Sequence, residues 1–358
     1  MTEENSTTNQ TNVNIIHTAG LPGLFFDPAW QLALTVEFYF KYAVIAIAIV
    51  GTAANATVLY ALIVDYARDT KKRAINLLII NQNLLDLFSC LLLVISVCIQ
   101  IGNIHLSGAL GYFLCLLFLN DTITQCALYG SIINLVALTI ERYLKVVYAI
   151  WSKTHLKRWM IQAAMVLSWV GGFASTLPVS FVTTHVDEGY CTAYFDSPES
   201  DYIYGVCNLV IFFFFPIIIF IYCYWRIVVV IRRQMRVMAG HSVEGSSQMT
   251  ASQAQSKRVK WNIIKTMIIV TVAFVLCWLP VNVYFLILTL LVQSTSLMVG
   301  YDPTVFLVYL NVCMNPFIYA LKHDGVKQQL ARLMVCCKLR DEEATVTTQH
   351  TRIKVACK

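Results

Sequence analysis

The residues of this chain most able to do chemistry stand inside apolar runs. Glu141-Arg142-Tyr143 closes one run at its basic end, and Asn315-Pro316-Phe317-Ile318-Tyr319 interrupts another. Asp86 stands in an otherwise apolar stretch, while Asn55, Ser131, Asn311 and Asn315 occupy the middle of others. Polar groups in such places are expensive, since a charge at the centre of a bilayer costs roughly 2.5 to 3.5 kcal/mol even on the lenient insertion scale. An unpaired carboxylate there would protonate, so an ionised Asp86 implies either a bound cation or a dense network of hydrogen-bond donors. Glu141 and Arg142 carry adjacent opposite charges that can lock together or release Arg142 to another partner. Charge pairing and ion binding are the chemistry these residues offer; nothing here resembles the apparatus of an enzyme.

Cys277-Trp278-Leu279-Pro280 sets an indole just before a helix-breaking proline, and Phe274 falls one turn further in. Proline deletes one backbone hydrogen bond and kinks a helix, which makes a hinge or a static bend. Pro216 and Pro316 interrupt two other runs in the same way.

The elements that carry these groups must cross a membrane. The chain has 358 residues, of which 58% are hydrophobic and 13% charged, and its mean hydropathy is +0.65. A soluble domain of this length could not hide so much apolar surface. About 20 apolar residues of helix span the hydrocarbon, and seven stretches qualify: Phe38 to Val64, Ile75 to Ile101, Tyr112 to Tyr143, Trp159 to Phe181, Tyr202 to Ile231, Ile263 to Val292 and Pro303 to Leu321. Each must be helical, because only a helix satisfies its own backbone away from water. Barrel strands would alternate apolar and polar residues, and these runs do not. The predicted fold is an all-α membrane protein, a seven-transmembrane helix bundle over 38–322. An extracellular segment, 1–37, precedes it; an amphipathic membrane-surface helix, 323–337, and a cytoplasmic tail, 338–358, follow.

Orientation comes from the Lys/Arg bias of the short loops. Arg68, Lys71, Lys72, Arg73, Lys145, Lys153, Lys157, Arg158, Arg232, Arg233, Arg236, Lys257, Arg258 and Lys260 fall on one side, while Asp187, Glu188, Asp196, Glu199, Asp201 and Asp302 fall on the other. The N-terminus is therefore predicted outside, and the formal charge of +6 is a cytoplasmic surplus facing anionic lipid and partners, with no need of nucleic acid. Met1 to Val36 lacks the basic start and apolar core of a cleavable signal peptide, so the first span is expected to direct its own insertion. Asn5 and Asn9 head glycosylation sequons on the outer side. Of the twelve cysteines, most sit in spans as small buried hydrophobes; Cys115 and Cys191 lie in the oxidising compartment, where a bridge would pin the loop before the fifth span. No internal repeat is evident, which argues against a transporter of duplicated halves. Ala239 to Ser256 reads as a flexible linker. Val326 to Met334 has apolar residues at helical spacing, and Cys336-Cys337 behind it are candidate thioester-lipidation sites or ordinary surface cysteines. Thr345, Thr348 and Thr351 recur every third residue behind Asp341-Glu342-Glu343, a pattern suited to phosphorylation and a Lys/Arg-lined partner, or to a plain polar tail.

Jointly these motifs resemble the class A, rhodopsin-like G-protein-coupled receptors over Phe38 to Cys337, with a third span similar to that of orphan invertebrate receptors. The resemblance implies that Asp86, Ser131, Asn311 and Asn315 form a sodium pocket, with the ion favouring the inactive bundle. It implies that Arg142 leaves Glu141 to meet the G protein while Tyr224 and Tyr319 swing in beside it. Glu141, Tyr143, Phe274, Trp278, Pro280, Asn315 and Pro316 complete the activation set, Trp278 as the toggle beneath the ligand and Trp169 as the fourth-span tryptophan. Cys115 and Cys191 match the family's extracellular disulfide. Gln82 and Asn83 depart from the usual Leu and Ala, the first outer loop lacks the usual tryptophan, and Cys115 lies two residues farther from Arg142 than is common.

The seventh span has no Lys for a retinal Schiff base. The carboxylate of amine receptors would fall near Thr122 or Thr124, and on a regular helix the adjacent Asp121 points elsewhere. The acidic outer surface would steer a cationic ligand. A peptide bearing Lys or Arg is the favoured expectation, with Asp121, Thr124, Asp187, Glu188, Asn282, Tyr284, Phe285 and Tyr309 as candidate contacts. A biogenic amine or other small molecule is the alternative, and a seven-helix ion transporter or pump using Asp86 as a proton relay is the rival of another class. The expected partners are an extracellular ligand, a heterotrimeric G protein, arrestin and plasma-membrane lipid, with no catalytic cofactor.

Overall fold

The computed structural model describes residues 28–68, 77–102, 104–241, 251–291, 301–322 and 326–332. Seven helices among them are long and apolar enough to cross a membrane: Phe38–Ala67, Leu77–Ile101, Gly108–Val147, Arg158–Thr183, Glu199–Gln234, Ile264–Ile287 and Asp302–Leu321. They are called the first to seventh spans below. The third packs against the second, fourth and fifth, while the first and the sixth both lie against the seventh.

The bundle is apolar on both its faces, as a membrane solvent requires. Leu62, Ile79, Leu138, Phe220, Met267, Phe274 and Tyr319 are buried in one core cluster; Val44, Cys90, Leu93, Leu128, Tyr309 and Val312 form another. Ile218, Ile221, Trp225, Val272 and Leu276 are exposed on the outside of the bundle, where lipid rather than water would cover them. Small residues let helices approach closely. A Cβ on Gly172 would collide with the carbonyl oxygen of Cys126, so the third and fourth spans meet backbone to backbone there.

The third span departs from the single uninterrupted helix expected for it. An α-helical segment, Gly108–Leu114, runs into a π-helical turn, Cys115–Leu119, and the α-helix resumes only at Thr122–Val147. Between them Asp121 takes a left-handed backbone conformation, with φ 50°, which Asp tolerates better than most residues. The amide N–H of Asn120 donates to the carbonyl of Cys115 at 3.0 Å, the i to i−5 bond of a π turn. The two extra residues between Cys115 and Arg142 are absorbed by this turn and break. The fifth span carries a similar turn, Val210–Phe214, directly before Pro216, so that proline is accommodated by local widening of the helix.

The loop before the fifth span forms a two-stranded antiparallel hairpin, β1 Thr184–Asp187 and β2 Tyr190–Ala193. Glu188 and Gly189 at its tip both have positive φ, 51° and 84°, as a tight two-residue hairpin turn demands. Past the seventh span a short helix covers 326–332. Val326 and Gln329 are buried while Lys327, Gln328 and Arg332 are exposed, so one face of this helix is turned onto the bundle, where the sequence suggested a helix laid on the membrane surface. The sequons at Asn5 and Asn9, the pair Cys336 and Cys337, and Thr345, Thr348 and Thr351 lie outside the described residues.

Candidate functional site

The polar groups gather at three depths: beneath the hairpin, at mid-bundle around Asp86, and at the end that carries Arg142.

Cys115 and Cys191 are joined by a disulfide with their Cα atoms 5.4 Å apart. The bridge fixes β2 to the π turn, and Asn120 adds a second tie by donating from Nδ2 to Thr184 Oγ1 at 2.9 Å. At the tip of the hairpin, Leu106 N–H donates to Gly189 O at 3.0 Å. The hairpin is thus held at both ends over the break in the third span.

That break decides where Asp121 goes. Its carboxylate does not point away from the interior, as a regular helix would have it. Tyr309 of the seventh span donates from its hydroxyl to Asp121 Oδ2 at 3.1 Å, while Ser96 of the second span approaches the same carboxylate without a well-aligned bond. Asp121 Oδ1 and the buried hydroxyls of Thr122 and Thr124 find no hydrogen-bond partner among the described residues. Buried polar groups are nearly always satisfied, so the open carboxylate oxygen of Asp121 is a place for a donor that the described residues do not supply, while Thr122 and Thr124, two apart on a helix, face different ways.

The other candidate contacts divide. Asp187 and Glu188 are exposed on the hairpin and Tyr284 is half-buried. Asn282 is turned back on its own helix, donating from Nδ2 to Trp278 O at 2.7 Å. Phe285 sets the tip of its ring against Gly205 of the fifth span, where a Cβ would run into it. Those two serve helix geometry and packing in this arrangement.

Trp278 stands near Tyr129, with ring centroids 6.3 Å apart, and near Phe274, at 5.8 Å. Tyr129 stacks on Phe212 at 4.2 Å and accepts a hydrogen bond from Asn208 Nδ2 at 2.5 Å. Tyr129 links the third, fifth and sixth spans, and the sequence reading missed it because a lone Tyr in an apolar run carries no spacing signal.

Around Asp86, Ser131 Oγ donates to Oδ1 at 2.9 Å and Asn315 Nδ2 to Oδ2 at 2.7 Å. Gln82 Nε2 also donates to Oδ1, at 3.3 Å, and to Ser131 Oγ. Asn83, its neighbour in sequence, bonds only Ile79 O of its own helix among the described residues, at 2.9 Å. Asn55 bridges the first and seventh spans by donating to Val312 O at 3.2 Å. Hard cations need several oxygens turned toward one point. Here N–H groups of Gln82 and Asn315 sit on both carboxylate oxygens, and the adjoining cavity, lined by Gln82, Ser131, Trp278, Asn311 and Asn315 among others, has room for about a single water molecule. This donor set does not fit the sodium ion expected for the pocket.

At the basic end, Arg142 Nε lies 3.1 Å from Glu141 Oε2, both side chains being under 8% exposed. Lys145, one turn on, pairs with the other oxygen of the same carboxylate. Glu141 therefore holds two cations, and only the first was foreseen, although spacing of four on a helix brings such charges together. Tyr224 sits between the third and sixth spans, within 3.1 Å of Thr139 Oγ1 and accepting from Thr271 Oγ1 at 3.2 Å. The buried hydroxyl of Tyr319 has no partner among the described residues. Tyr143 points away from this group toward Tyr148 and Tyr222. A buried ion pair and two buried tyrosines beside a proline-broken seventh span make an arrangement that can be repartnered.

The family model of the 7 transmembrane receptor (rhodopsin family) matches residues 54–319. The chain belongs to that family, whose members are receptors and not enzymes. Among known proteins it is similar to somatostatin receptor type 5 of Rattus norvegicus, 31% identical over 63% of this chain and 59% of the relative. It is also similar to the substance-K receptor of Bos taurus, 25% identical over 87% of this chain and 78% of the relative, and to the C3a anaphylatoxin chemotactic receptor of Danio rerio, 24% identical over 78% and 73%. The chain thus spans little more than half of the first of these relatives and about three quarters of the others. Membership removes the transporter and pump reading.

Proposed function

We propose that this chain is a cell-surface receptor for an extracellular peptide carrying a basic side chain, and that it activates a heterotrimeric G protein. The observation that carries the ligand class is Asp121. An ammonium or guanidinium group reaching it would replace a partly satisfied buried carboxylate with a charge-assisted hydrogen bond, the strong kind. Three of the relatives are named for somatostatin, substance K and C3a anaphylatoxin, all peptide ligands, which supports a peptide over a small amine. Asp187 and Glu188, exposed on the tethered hairpin, would steer a cationic ligand inward.

In this reading the N-terminus is extracellular and the Arg142 end faces the cytoplasm of a plasma-membrane protein. Ligand binding favours a second arrangement of the bundle, and it can do so only by its differential affinity for the two. Asp121 reaches the seventh span through Tyr309, and Tyr129 couples Trp278 of the sixth span to the third and fifth; Pro280 and Pro316 are the points at which the sixth and seventh spans can swing. Arg142 then exchanges Glu141 for Tyr224, Tyr319 and the G protein. Glycosylation at Asn5 and Asn9, lipidation at Cys336 and Cys337, and phosphorylation of Thr345, Thr348 and Thr351 to recruit arrestin belong to the same reading.

Arg142→Ala tests it. Nucleotide exchange on the G protein should fall to the level of cells lacking the receptor while surface expression persists; undiminished exchange from the variant would overturn the assignment.

A further inference from the structure

A chain of side-chain amides connects the fourth span to Asp86, and it runs in one direction. At its head, Trp169 Nε1 donates to Asn81 Oδ1 at 3.0 Å. An indole N–H can only donate, so the oxygen of Asn81 faces Trp169 and its NH2 faces the other way. There it reaches Asn134 Oδ1 at 2.9 Å and Ser168 Oγ at 3.0 Å. The orientation of Asn134 is fixed a second time, because its NH2 donates to the backbone carbonyl of Leu78 at 3.0 Å, a group that can only accept. The same NH2 donates to Gln82 Oε1 at 2.8 Å. Gln82 has no freedom left: its oxygen is taken by Asn134, and its NH2 must face Asp86 Oδ1 and Ser131 Oγ.

Amide orientation is ordinarily an inference from the surrounding network. In this network two one-way groups, the Trp169 indole and the Leu78 carbonyl, determine it. Turning Gln82 over would oppose its NH2 to that of Asn134 and its carbonyl to the Asp86 carboxylate. Asn81, Gln82, Asp86 and Asn134 are all no more than 1% exposed, so bulk solvent does not reach the groups that such a turn would leave unpaired.

From this geometry we infer that Gln82 is the residue that excludes a cation from Asp86, its amide N–H standing where an ion would have to sit. Asp86 is satisfied by Gln82, Ser131 and Asn315, and it joins the second, third and seventh spans without an ion. The bundle is then insensitive to sodium, and position 82 decides that. The inference rests on the interior network alone and is independent of the ligand proposed above.

The test uses the intact purified receptor, unfolded thermally in sodium chloride and in N-methylglucamine chloride at equal ionic strength, so that general screening cancels. Wild-type melting curves should coincide in the two salts. Gln82→Leu leaves Asn134 its bond to Leu78 and takes the amide N–H off Asp86 Oδ1, which keeps only the rotatable hydroxyl of Ser131, and its melting temperature should rise in sodium alone, by roughly 2–4 °C at physiological concentration. Gln82→Met, closer to Gln in length, serves if the Leu variant does not fold. A sodium-specific rise in the wild type would overturn the inference, and so would a folded Gln82 variant that shows none. Sodium-23 linewidths detect ion binding without unfolding: the wild type should leave them unchanged, and broadening by wild type that disappears in Asp86→Asn would contradict the inference.

Discussion

Asp121 is where residue chemistry departs furthest from what sequence position suggests. On a regular helix it would lie beside the ligand-facing positions and point elsewhere; at φ 50° its carboxylate meets Tyr309 instead. If a basic ligand group binds there, Asp121→Asn keeps the size and the Tyr309 contact but removes the charge. A charge-assisted hydrogen bond contributes about 1.5 to 3 kcal/mol, so agonist potency should drop roughly 10- to 100-fold. Tyr309→Phe leaves the charge in place and should cost less. Concentration–response curves on surface-matched cells measure both; a larger loss for Tyr309→Phe than for Asp121→Asn would place the essential interaction on the tyrosine. The buried charge pair at Arg142 was readable because adjacent opposite charges at the end of an apolar run have few uses. The amides of Asn81 and Asn134 were not, since a polar residue in a span has a meaning only when its partner in another span is known.

At the scale of elements, the third span shows why the pocket could not be derived by spacing. Leu116, Leu117, Phe118 and Leu119 are indistinguishable by hydropathy from a continuous helix, and a π turn has no residue signature there. The two extra residues between Cys115 and Arg142 were the one visible trace of it. Because the π turn holds one residue more than an α turn, deleting Leu117 should convert it to α-helix and leave the outer segment close to its present register, with Cys115 still facing Cys191. Peptide mapping without reduction should then find the crosslink in the deletion variant as in the parent; free thiols in the variant alone would show that the turn does not absorb the extra residue. The hairpin, by contrast, could be expected only as a long loop, since its two four-residue strands are held by the disulfide and the Leu106 contact more than by their own propensity.

Over the whole molecule, hydropathy located all seven spans because a bilayer tolerates no other solution for such runs. What it could not supply is the set of contacts between spans, which no periodicity encodes. The short helix at 326–332 followed from apolar spacing. Val326 of this helix joins the core cluster that holds Tyr319, at the end of the bundle that carries Arg142, and the Thr-rich stretch follows it in sequence. Replacing Thr345, Thr348 and Thr351 together by Ala should reduce agonist-driven arrestin recruitment without altering G-protein activation, since only phosphates there supply new acceptors for a basic partner; recruitment at the parental level would remove the tail from the account.

In the proposed function a basic peptide acts through Asp121 to activate a G protein. Its most direct test is a screen of basic, neutral and acidic peptides, with small amines alongside, on cells expressing the receptor and a broadly coupling G protein, run in parallel on wild type and Asp121→Asn. Responses should be confined to peptides bearing Lys or Arg, and the Asp121→Asn variant, at equal surface density, should need at least roughly tenfold more of each. Activation by an uncharged or acidic ligand, undiminished in Asp121→Asn, would contradict the account.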